Sequence, residues 1–389
     1  MNLIQKQNPK KMIGLIFLFS FTLAISTALL AYVQSSFLAG KINATWVGGL
    51  FTLSYLVSFL GINYYSRIIS KFGHYRVFLT VLVSNALSLF LLPRLEDTLA
   101  IASFFVLSIV SLSLYWLSLD IFLQGYTTRE SAGKIRGANL TLMNLGWLVS
   151  PALSGYLIET RGFQSVFTIS SLLLLPVLIL SAYFFQETKG SVKSRAIPEP
   201  FSVIQKIIAK PSLRSIFSIA FLLQFFYSWM VIYTPIYLRT LGFSFADIGI
   251  LFTIMLVPFV LFQFPAGYLA DKYFGETEML SMALVIMGFA TASLFFVNSF
   301  WVLAIVLFFT RVGASIVESL RDSYFYKQIR PSDIYLINLF RDTGPLAYIA
   351  APALASFLLF FLPMEYLFVI LGIIMLSGLY FTMTMPDTK

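Results

Sequence analysis

Long apolar runs follow one another along the chain, separated by short polar segments. A helix of about 20 residues crosses the hydrocarbon core of a bilayer, and twelve runs have a suitable length. Their approximate centres are Ala24, Tyr55, Ser84, Ile109, Leu148, Leu173, Phe226, Leu256, Ile286, Phe309, Ala350 and Leu371. The runs do not alternate apolar and polar residues, as the strands of a membrane barrel do. The pattern therefore predicts an all-α integral membrane protein with twelve transmembrane helices.

The composition agrees with a protein of the bilayer. Of the 389 residues, 59% are hydrophobic and only 11% are charged, whereas a soluble domain is nearer half apolar and a quarter charged. The chain has no cysteine and a single histidine, His74. The chain therefore offers no residues for disulfides or thiolate metal sites, and one histidine is a narrow basis for histidine-based acid–base chemistry. We expect no metal site, no cofactor and no enzymatic activity.

Lysine and arginine are distributed unevenly among the polar segments. With the N-terminus in the cytoplasm, nineteen of the 26 basic residues lie in cytoplasmic segments, four in outer loops and three at helix depth. Basic residues favour the cytoplasmic side of a membrane. This distribution predicts a multi-pass protein of the cell membrane with both termini in the cytoplasm. An anionic inner leaflet accommodates the net charge of +9, so nucleic acid is not expected as a partner.

Two phrases of the sequence occur twice in the same order. SPALSG at 150–155 returns as APALAS at 351–356, and VGGLFTL at 47–53 returns as IGILFTI at 248–254. Both pairs are shifted by 201 positions. Repetition in order at one offset indicates a duplicated chain.

A duplicated chain with an even number of crossings in each half has halves of the same orientation. Parallel repeats of this kind are related by an axis along the membrane normal. The sequence therefore predicts two parallel six-helix bundles related by a pseudo-twofold axis, an N-terminal bundle at 13–189 and a C-terminal bundle at 214–389. A cytoplasmic central loop at 190–213 joins them.

With these features the chain resembles the major facilitator superfamily over essentially its whole length. Members carry a loop of the form Gly-x-x-x-Asp-(Arg/Lys)-x-Gly between the second and third helices of each half. The second half carries this pattern, with one extra residue before the last glycine, at Gly267, Asp271, Lys272 and Gly275. In the first half, Ser66 and Ser70 replace the glycine and the aspartate. The resemblance implies that Asp271 and Lys272 help to latch the inner side shut, with a topology signal alone as the alternative.

The fifth run is similar to the exporter signature of that family's drug:proton antiporters. Small residues and a proline follow the signature's spacing at Gly137, Gly146, Ser150, Pro151, Ser154 and Gly155. Serine stands in place of glycine at Ser150 and Ser154. Small residues let helices approach closely, and proline permits a bend. The resemblance favours export, while ordinary tight helix packing is the alternative explanation.

Ionisable residues inside a bilayer are costly and mark candidate functional sites. The candidates for gating or coupling at or near helix depth are Asp120, Arg311, Glu318, Arg321, Asp322, Arg341 and Asp342. In the family's architecture the fourth and fifth helices face the tenth and eleventh. The resemblance therefore implies an inner gate in which Asp120 meets Arg341 or Arg321. A static ion pair that only holds helices together is the alternative.

Proton coupling requires a carboxyl group that can gain and lose a proton near physiological pH. Asp120, Glu318 and Asp322 are the candidates for this role. None of them lies obviously at the centre of a cavity. Coupling to sodium and facilitated diffusion therefore stay open as alternatives.

The resemblance also implies a solute cavity lined by the first, fourth, seventh and tenth helices. Polar and aromatic residues on or beside these helices are the candidate substrate-binding residues, namely Gln34, Tyr115, Trp116, Asn144, Gln224, Tyr227, Trp229 and Tyr233. Hydroxyl, amide and aromatic groups together suit a neutral or amphipathic organic solute. Aromatic faces also attract organic cations.

These features predict a secondary active transporter that moves a small organic solute across the cytoplasmic membrane by alternating access, with protons as the coupling ion. Its expected partners are the solute, protons and the lipid bilayer, and the chain is expected to act as a monomer. The sequence has no Gly-x4-Gly-Lys-Ser/Thr loop for ATP. A membrane enzyme acting on lipids is disfavoured because the sequence offers no histidine- or cysteine-based nucleophile pair. The remaining alternative is a non-transporting sensor or a lipid scramblase on a transporter scaffold.

Overall fold

The computed structural model describes residues 9–127, 132–184, 207–329 and 334–386. These residues form thirteen α-helices. The helices in the first part of the chain are α1 (Pro9–Ala31), α2 (Gln34–Ala39), α3 (Ala44–Phe72), α4 (His74–Leu91), α5 (Thr98–Tyr126), α6 (Ala132–Arg161) and α7 (Phe163–Phe184). Those in the second part are α8 (Pro211–Thr240), α9 (Phe245–Lys272), α10 (Glu276–Ser293), α11 (Phe300–Gln328), α12 (Ile334–Leu358) and α13 (Tyr366–Met383). Most of the predicted central loop, at 190–206, lies outside the described residues.

Local sequence explains where several helices begin. Asn43 caps α3 because its side-chain oxygen accepts a hydrogen bond from the Thr45 amide at 3.0 Å. Asp97 caps α5 in the same way, accepting from the Ala100 amide at 2.7 Å. Each cap satisfies a backbone donor that has no partner within the helix. Pro211 occupies the first position of α8, where its missing amide hydrogen costs nothing.

Ten helical segments of the described residues are long and apolar enough to cross a membrane, with α1 and α2 counted as one. The long helices α6 and α12 are not among them, and both carry charged residues at or near the predicted crossings. Large apolar side chains face outward from the spans, as at Phe264, Trp301 and Ile179, which are 85%, 70% and 68% exposed. Such surface is stable only against lipid or another apolar partner. The structure therefore shows an all-α, multi-pass membrane protein.

The described chain divides into two compact units. The first comprises the chain up to Ser194 together with Ser244–Gly249, and the second comprises Arg195–Phe243 and Ile250–Lys389. Within the first unit, α1 packs against α5, α6 and α7, and α4 packs against α5 and α7. Within the second unit, α8 packs against α11, α12 and α13, and α10 packs against α11 and α13. When α1 and α2 are counted as one span, these five pairs of helices occupy the same positions in the order of both units.

The helix bounds repeat as well. Helices α4 and α10 are both 18 residues long and begin at His74 and Glu276, and α5 and α11 are both 29 residues long and begin at Thr98 and Phe300. These starts lie 202 positions apart, one more than the offset of the repeated phrases. The turn before α10 is two residues longer than its counterpart, and α9 is one residue shorter than α3, which together give the net shift of one. There α9 ends at Lys272 and three residues precede α10, whereas Gly73 alone separates α3 from α4.

Glycine is required at this turn in both units. Gly73 has a φ of 86° and Gly275 a φ of 102°, a region that residues with a Cβ atom rarely adopt. The Gly73 amide donates to the Ile69 carbonyl at 2.9 Å, and the Gly275 amide donates to the Ala270 carbonyl at 3.1 Å. The longer turn of the second unit thus still satisfies the carbonyls at the end of its helix.

Candidate functional site

A cleft of about 170 Å³ lies within the first unit. Residues of α1, α5 and α6 line it, namely Ser20, Trp116, Leu119, Asp120, Leu123, Asn139, Leu140 and Met143. Two of the predicted functional residues, Trp116 and Asp120, therefore meet in one place. They lie four positions apart on α5, so both project from the same face of the helix.

Asp120 is held by polar partners of its own unit. Arg136 of α6 places its Nη2 atom 3.2 Å from Asp120 Oδ1, and Gln124 donates from Nε2 to Asp120 Oδ2 at 2.7 Å. Both side chains of the ion pair are about one-third exposed. The pair ties the C-terminal part of α5 to the start of α6. The expected pairing of Asp120 with Arg341 or Arg321 stays a prediction.

The other substrate candidates of the first unit lie in different surroundings. Tyr115 is only 1% exposed, and its hydroxyl shares a hydrogen bond of 2.9 Å with Thr27 of α1. Gln34 is buried at the start of α2, and Asn144 is exposed on α6. Of these three residues, Tyr115 has a clear packing role because it joins α5 to α1.

A polar cluster in the second unit surrounds Glu318 of α11. Tyr227 of α8 donates its hydroxyl to Glu318 Oε2 at 3.0 Å, and Gln263 of α9 donates Nε2 to the same oxygen at 3.4 Å. Ser319 donates to the Gln263 carbonyl at 3.0 Å, which holds α9 against α11. One partly buried carboxylate thus receives donors from two neighbouring helices.

Arg311 lies two turns before Glu318 on α11. It is 1% exposed, and its guanidinium lies 4.8 Å from the ring centroid of Phe226 and 5.4 Å from that of Tyr227. Aromatic faces attract a cation, most strongly where water is excluded. Its Nε and Nη1 atoms have no hydrogen-bond partner among the described residues. Tyr227 therefore contacts the cation through its ring and the carboxylate of Glu318 through its hydroxyl.

Arg321 and Asp322 form a second charged pair on α11. Arg321 Nε lies 3.2 Å from Asp322 Oδ1, and the guanidinium lies 5.7 Å from the ring centroid of Phe340 on α12. The arginine side chain is 10% exposed and the aspartate 50% exposed. The arginine of this pair is thus packed in the interior, while the aspartate is accessible at the surface. On α12, Arg341 is exposed and Asp342 is half-buried.

The remaining candidates on α8 are mainly buried. Trp229 is fully buried, and its indole N–H has no hydrogen-bond partner among the described residues. Tyr233 donates its hydroxyl to the Pro352 carbonyl of α12 at 3.1 Å. Gln224 lies beside Gly344 of the same helix. Tyr233 is therefore a link between α8 and α12.

Lys272 ends α9 beyond the apolar segment Phe245–Ala270. Its ammonium donates to the Tyr268 hydroxyl at 2.9 Å and lies 5.3 Å from the ring centroid of Tyr273. Hydrogen bonds to the hydroxyl of Tyr268 and then of Tyr273 raise the pKa of Lys272 above its usual value. The lysine therefore stays charged at physiological pH. The side chain of Asp271 lies outside the described residues.

Sequence reasoning missed an acidic residue at the start of α10. Glu276 is only 1% exposed, and its Oε1 atom accepts from Lys327 Nζ at 2.9 Å and from Ser323 Oγ at 2.6 Å. Its position just after the loop motif was the available signal, since an acid at a helix N-terminus is stabilised by the helix dipole. At the corresponding start of α4 stands His74, whose ring stacks on Phe122 at 4.1 Å.

Comparison with known proteins bears on both halves of the chain. The model of the Major Facilitator Superfamily matches residues 12–247 and 216–389. A solved structure of a POT family transporter in complex with 5-aminolevulinic acid is similar, with a TM-score of 0.74 over 96% of this chain and 95% of that chain. Its sequence identity is 13%, so the likeness concerns the fold. No curated protein matches the sequence significantly.

Proposed function

Since the chain belongs to the Major Facilitator Superfamily, a family of secondary transporters and not of enzymes, we propose that it exports a small organic solute in exchange for protons. It acts as a monomer in the cytoplasmic membrane, with both termini in the cytoplasm. Its two halves, 13–189 and 214–389, alternately open the solute site to the two sides of the bilayer.

The polar cluster around Glu318 is the observation that supports the proposal of proton coupling. A carboxyl group within a membrane span can take up and release a proton in response to its surroundings. Tyr227 and Gln263 both donate to Glu318, which stabilises its charged form. Rearrangement of α8 or α9 would withdraw these donors and favour protonation. Movement of a helix is thereby linked to movement of a proton.

Alternating access is supported by the repeated architecture of the chain. The matching helix lengths, the offset of 202 positions and the shared pairs of packed helices fit a duplicated bundle. We therefore keep the count of twelve spans and the pseudo-twofold axis as part of the proposal, with α6 and α12 as the two spans of lower hydropathy. Charged residues facing a wet interior lower the hydropathy of a span without preventing it from crossing.

The preference for export comes from the resemblance of residues on α6 to the exporter signature, and these residues are closely packed. A Cβ atom at Gly155 would clash with the Phe245 carbonyl oxygen, and one at Gly146 would lie 3.1 Å from Ile25. Both Gly155 and Phe245 belong to the first unit. The small residues that resemble the exporter signature thus lie where backbones meet.

Flux into proteoliposomes tests the proposal. Purified protein is offered a panel of radiolabelled sugars, amino acids, carboxylates and amines, with and without a pH gradient, while a dye reports the internal pH. We expect one solute class to move against the proton flow. Glu318→Gln keeps a hydrogen-bonding side chain but removes the acid. We expect it to reduce gradient-driven flux by about tenfold, the scale of a typical coupling free energy.

Glu278→Gln is the matched control, because Glu278 is exposed in the first turn of α10. It should leave gradient-driven flux unchanged. Full gradient dependence in the Glu318→Gln protein would contradict proton coupling through this residue. Lipid flipping without solute flux would instead indicate a scramblase, and neither activity would indicate a sensor.

A further inference from the structure

We infer that the cleft of the first unit binds a small organic amine, with its ammonium group among the polar atoms of α1, α5 and α6 and a single ring against Trp116. This inference rests on the proposed function, because it names the class of solute that the transporter carries.

The cleft has the size of one ring with a short polar arm. Its volume is about 170 Å³, and a cavity of about 150 Å³ in a protein interior can hold benzene. Drug-sized ligands usually occupy pockets of about 300 Å³ or more. The cleft therefore selects a compact solute.

Two unsatisfied polar groups line the cleft. The hydroxyl of Ser20 is fully buried and the side-chain oxygen Oδ1 of Asn139 is also buried, and neither has a hydrogen-bond partner among the described residues. A buried polar atom without a partner costs free energy. An amide oxygen only accepts hydrogen bonds, and a hydroxyl can accept as well. The missing partner is therefore a hydrogen-bond donor.

The charge of the lining has the same implication. Asp120 is the charged residue among those that line the cleft. Its carboxylate is paired with Arg136 and Gln124, but a carboxylate offers about four lone-pair sites and can serve several donors at once. An ammonium group brings three donors and a positive charge. An anion would instead meet the carboxylate and the lone pairs of Asn139.

The rest of the lining suits an aromatic or aliphatic body. Trp116 offers the aromatic face that attracts cations most strongly. Leucine side chains and the Met143 thioether complete the apolar wall, and methionine adapts to ligands of irregular shape. Acceptors, one carboxylate and an aromatic wall together describe a site for an amine.

Calorimetry with three probes of one size tests the inference. Benzylamine, benzyl alcohol and benzoate share a ring and are a cation, a neutral molecule and an anion at neutral pH. They are titrated into the purified full-length protein in detergent. We expect benzylamine to bind at least about tenfold more tightly than benzyl alcohol, the scale of a hydrogen bond to a charged group. Benzoate should bind most weakly.

Variants locate the binding in the cleft. Asn139→Leu keeps the volume but removes the free acceptor, so it should weaken benzylamine by about tenfold. Asn63→Leu is the matched control, because Asn63 is exposed on α3 and donates to its own helix at Phe59. It should leave benzylamine affinity unchanged. Asp120→Asn should abolish the preference for the amine over the alcohol. Ser20→Ala provides a milder change if Asn139→Leu does not fold.

Equal affinity for the three probes, tighter binding of benzoate, or benzylamine binding that both Asn139→Leu and Ser20→Ala leave unchanged would overturn the inference. Flux of another solute class without benzylamine binding would contradict the amine site and leave transport standing. Benzylamine binding without flux of any solute would contradict transport and leave the amine site standing.

Discussion

At the scale of single residues, close backbone contact on α6 depends on the absence of a side chain. Gly155 meets the Phe245 carbonyl, and Gly249 meets the Pro151 carbonyl, where an added Cβ atom would lie at 2.5 Å. Both contacts are with backbone, which cannot move aside as the end of a flexible side chain can. The residues that resembled a signature thus have a direct steric reason to be small.

We expect Gly155→Ala to destabilise the protein by about 1–3 kcal/mol, as overpacking usually does. Gly137→Ala on the same helix is the matched control, since no atom lies within 4 Å of its added Cβ. That change should be neutral or slightly stabilising, because alanine favours a helix over glycine. Thermal unfolding of the two purified variants provides the comparison. Equal melting temperatures would show that the close contact does not limit stability.

At the scale of an element, the start of α10 is held by an ion pair between the buried carboxylate of Glu276 and the exposed ammonium of Lys327. Glu276 accepts hydrogen bonds from Lys327 and Ser323 of α11, so the α9–α10 turn is tied to the C-terminal end of a third helix. The helix dipole also favours an acid in this first turn. Together these interactions stabilise the start of α10.

We expect Glu276→Gln to lower stability by about 2 kcal/mol, because it removes hydrogen bonds to a charged group in a buried place. Glu278→Gln, in the same turn but exposed, changes the charge at the helix terminus equally and should cost much less. Denaturant titration of both variants measures the difference. Similar losses would assign the effect to the helix dipole instead of the ion pair.

The sequence predicted some of these elements well and others poorly. Apolar runs marked the long helices because a span must satisfy its backbone within itself and present apolar side chains to lipid. The loop motif placed Lys272 at the end of α9, and the family match confirms the predicted resemblance. Ion pairs between side chains of different helices were harder to predict, since they depend on how the helices rotate and pack. Arg136 is one of the nineteen basic residues that the sequence assigned to cytoplasmic segments, yet in the structure it pairs with Asp120.

At the scale of the whole molecule, the predicted gate requires Asp120 to pair with an arginine of the other half and not only with one of its own unit. Asp120→Arg should reduce solute flux by about tenfold or more, because it places two cations together beside Arg136. If the gate exists, adding Arg341→Asp or Arg321→Asp should recover part of the flux in proteoliposomes. Adding Arg136→Asp should recover protein stability. If Arg136→Asp were the only change added to Asp120→Arg and flux recovered fully, a gate between the halves would be contradicted.

His74 begins α4 where Glu276 begins α10, so different contacts hold the α3–α4 and α9–α10 turns. Helix α4 has no acidic residue in its first turn, and its histidine contributes a ring stack where α10 has an ion pair. Amide protons of the α3–α4 turn should therefore exchange with deuterated solvent sooner than those of the α9–α10 turn. We therefore expect slow local opening of this protein to begin in its first half, where ring contacts hold the turn and the first turn of the helix has no acid to form an ion pair.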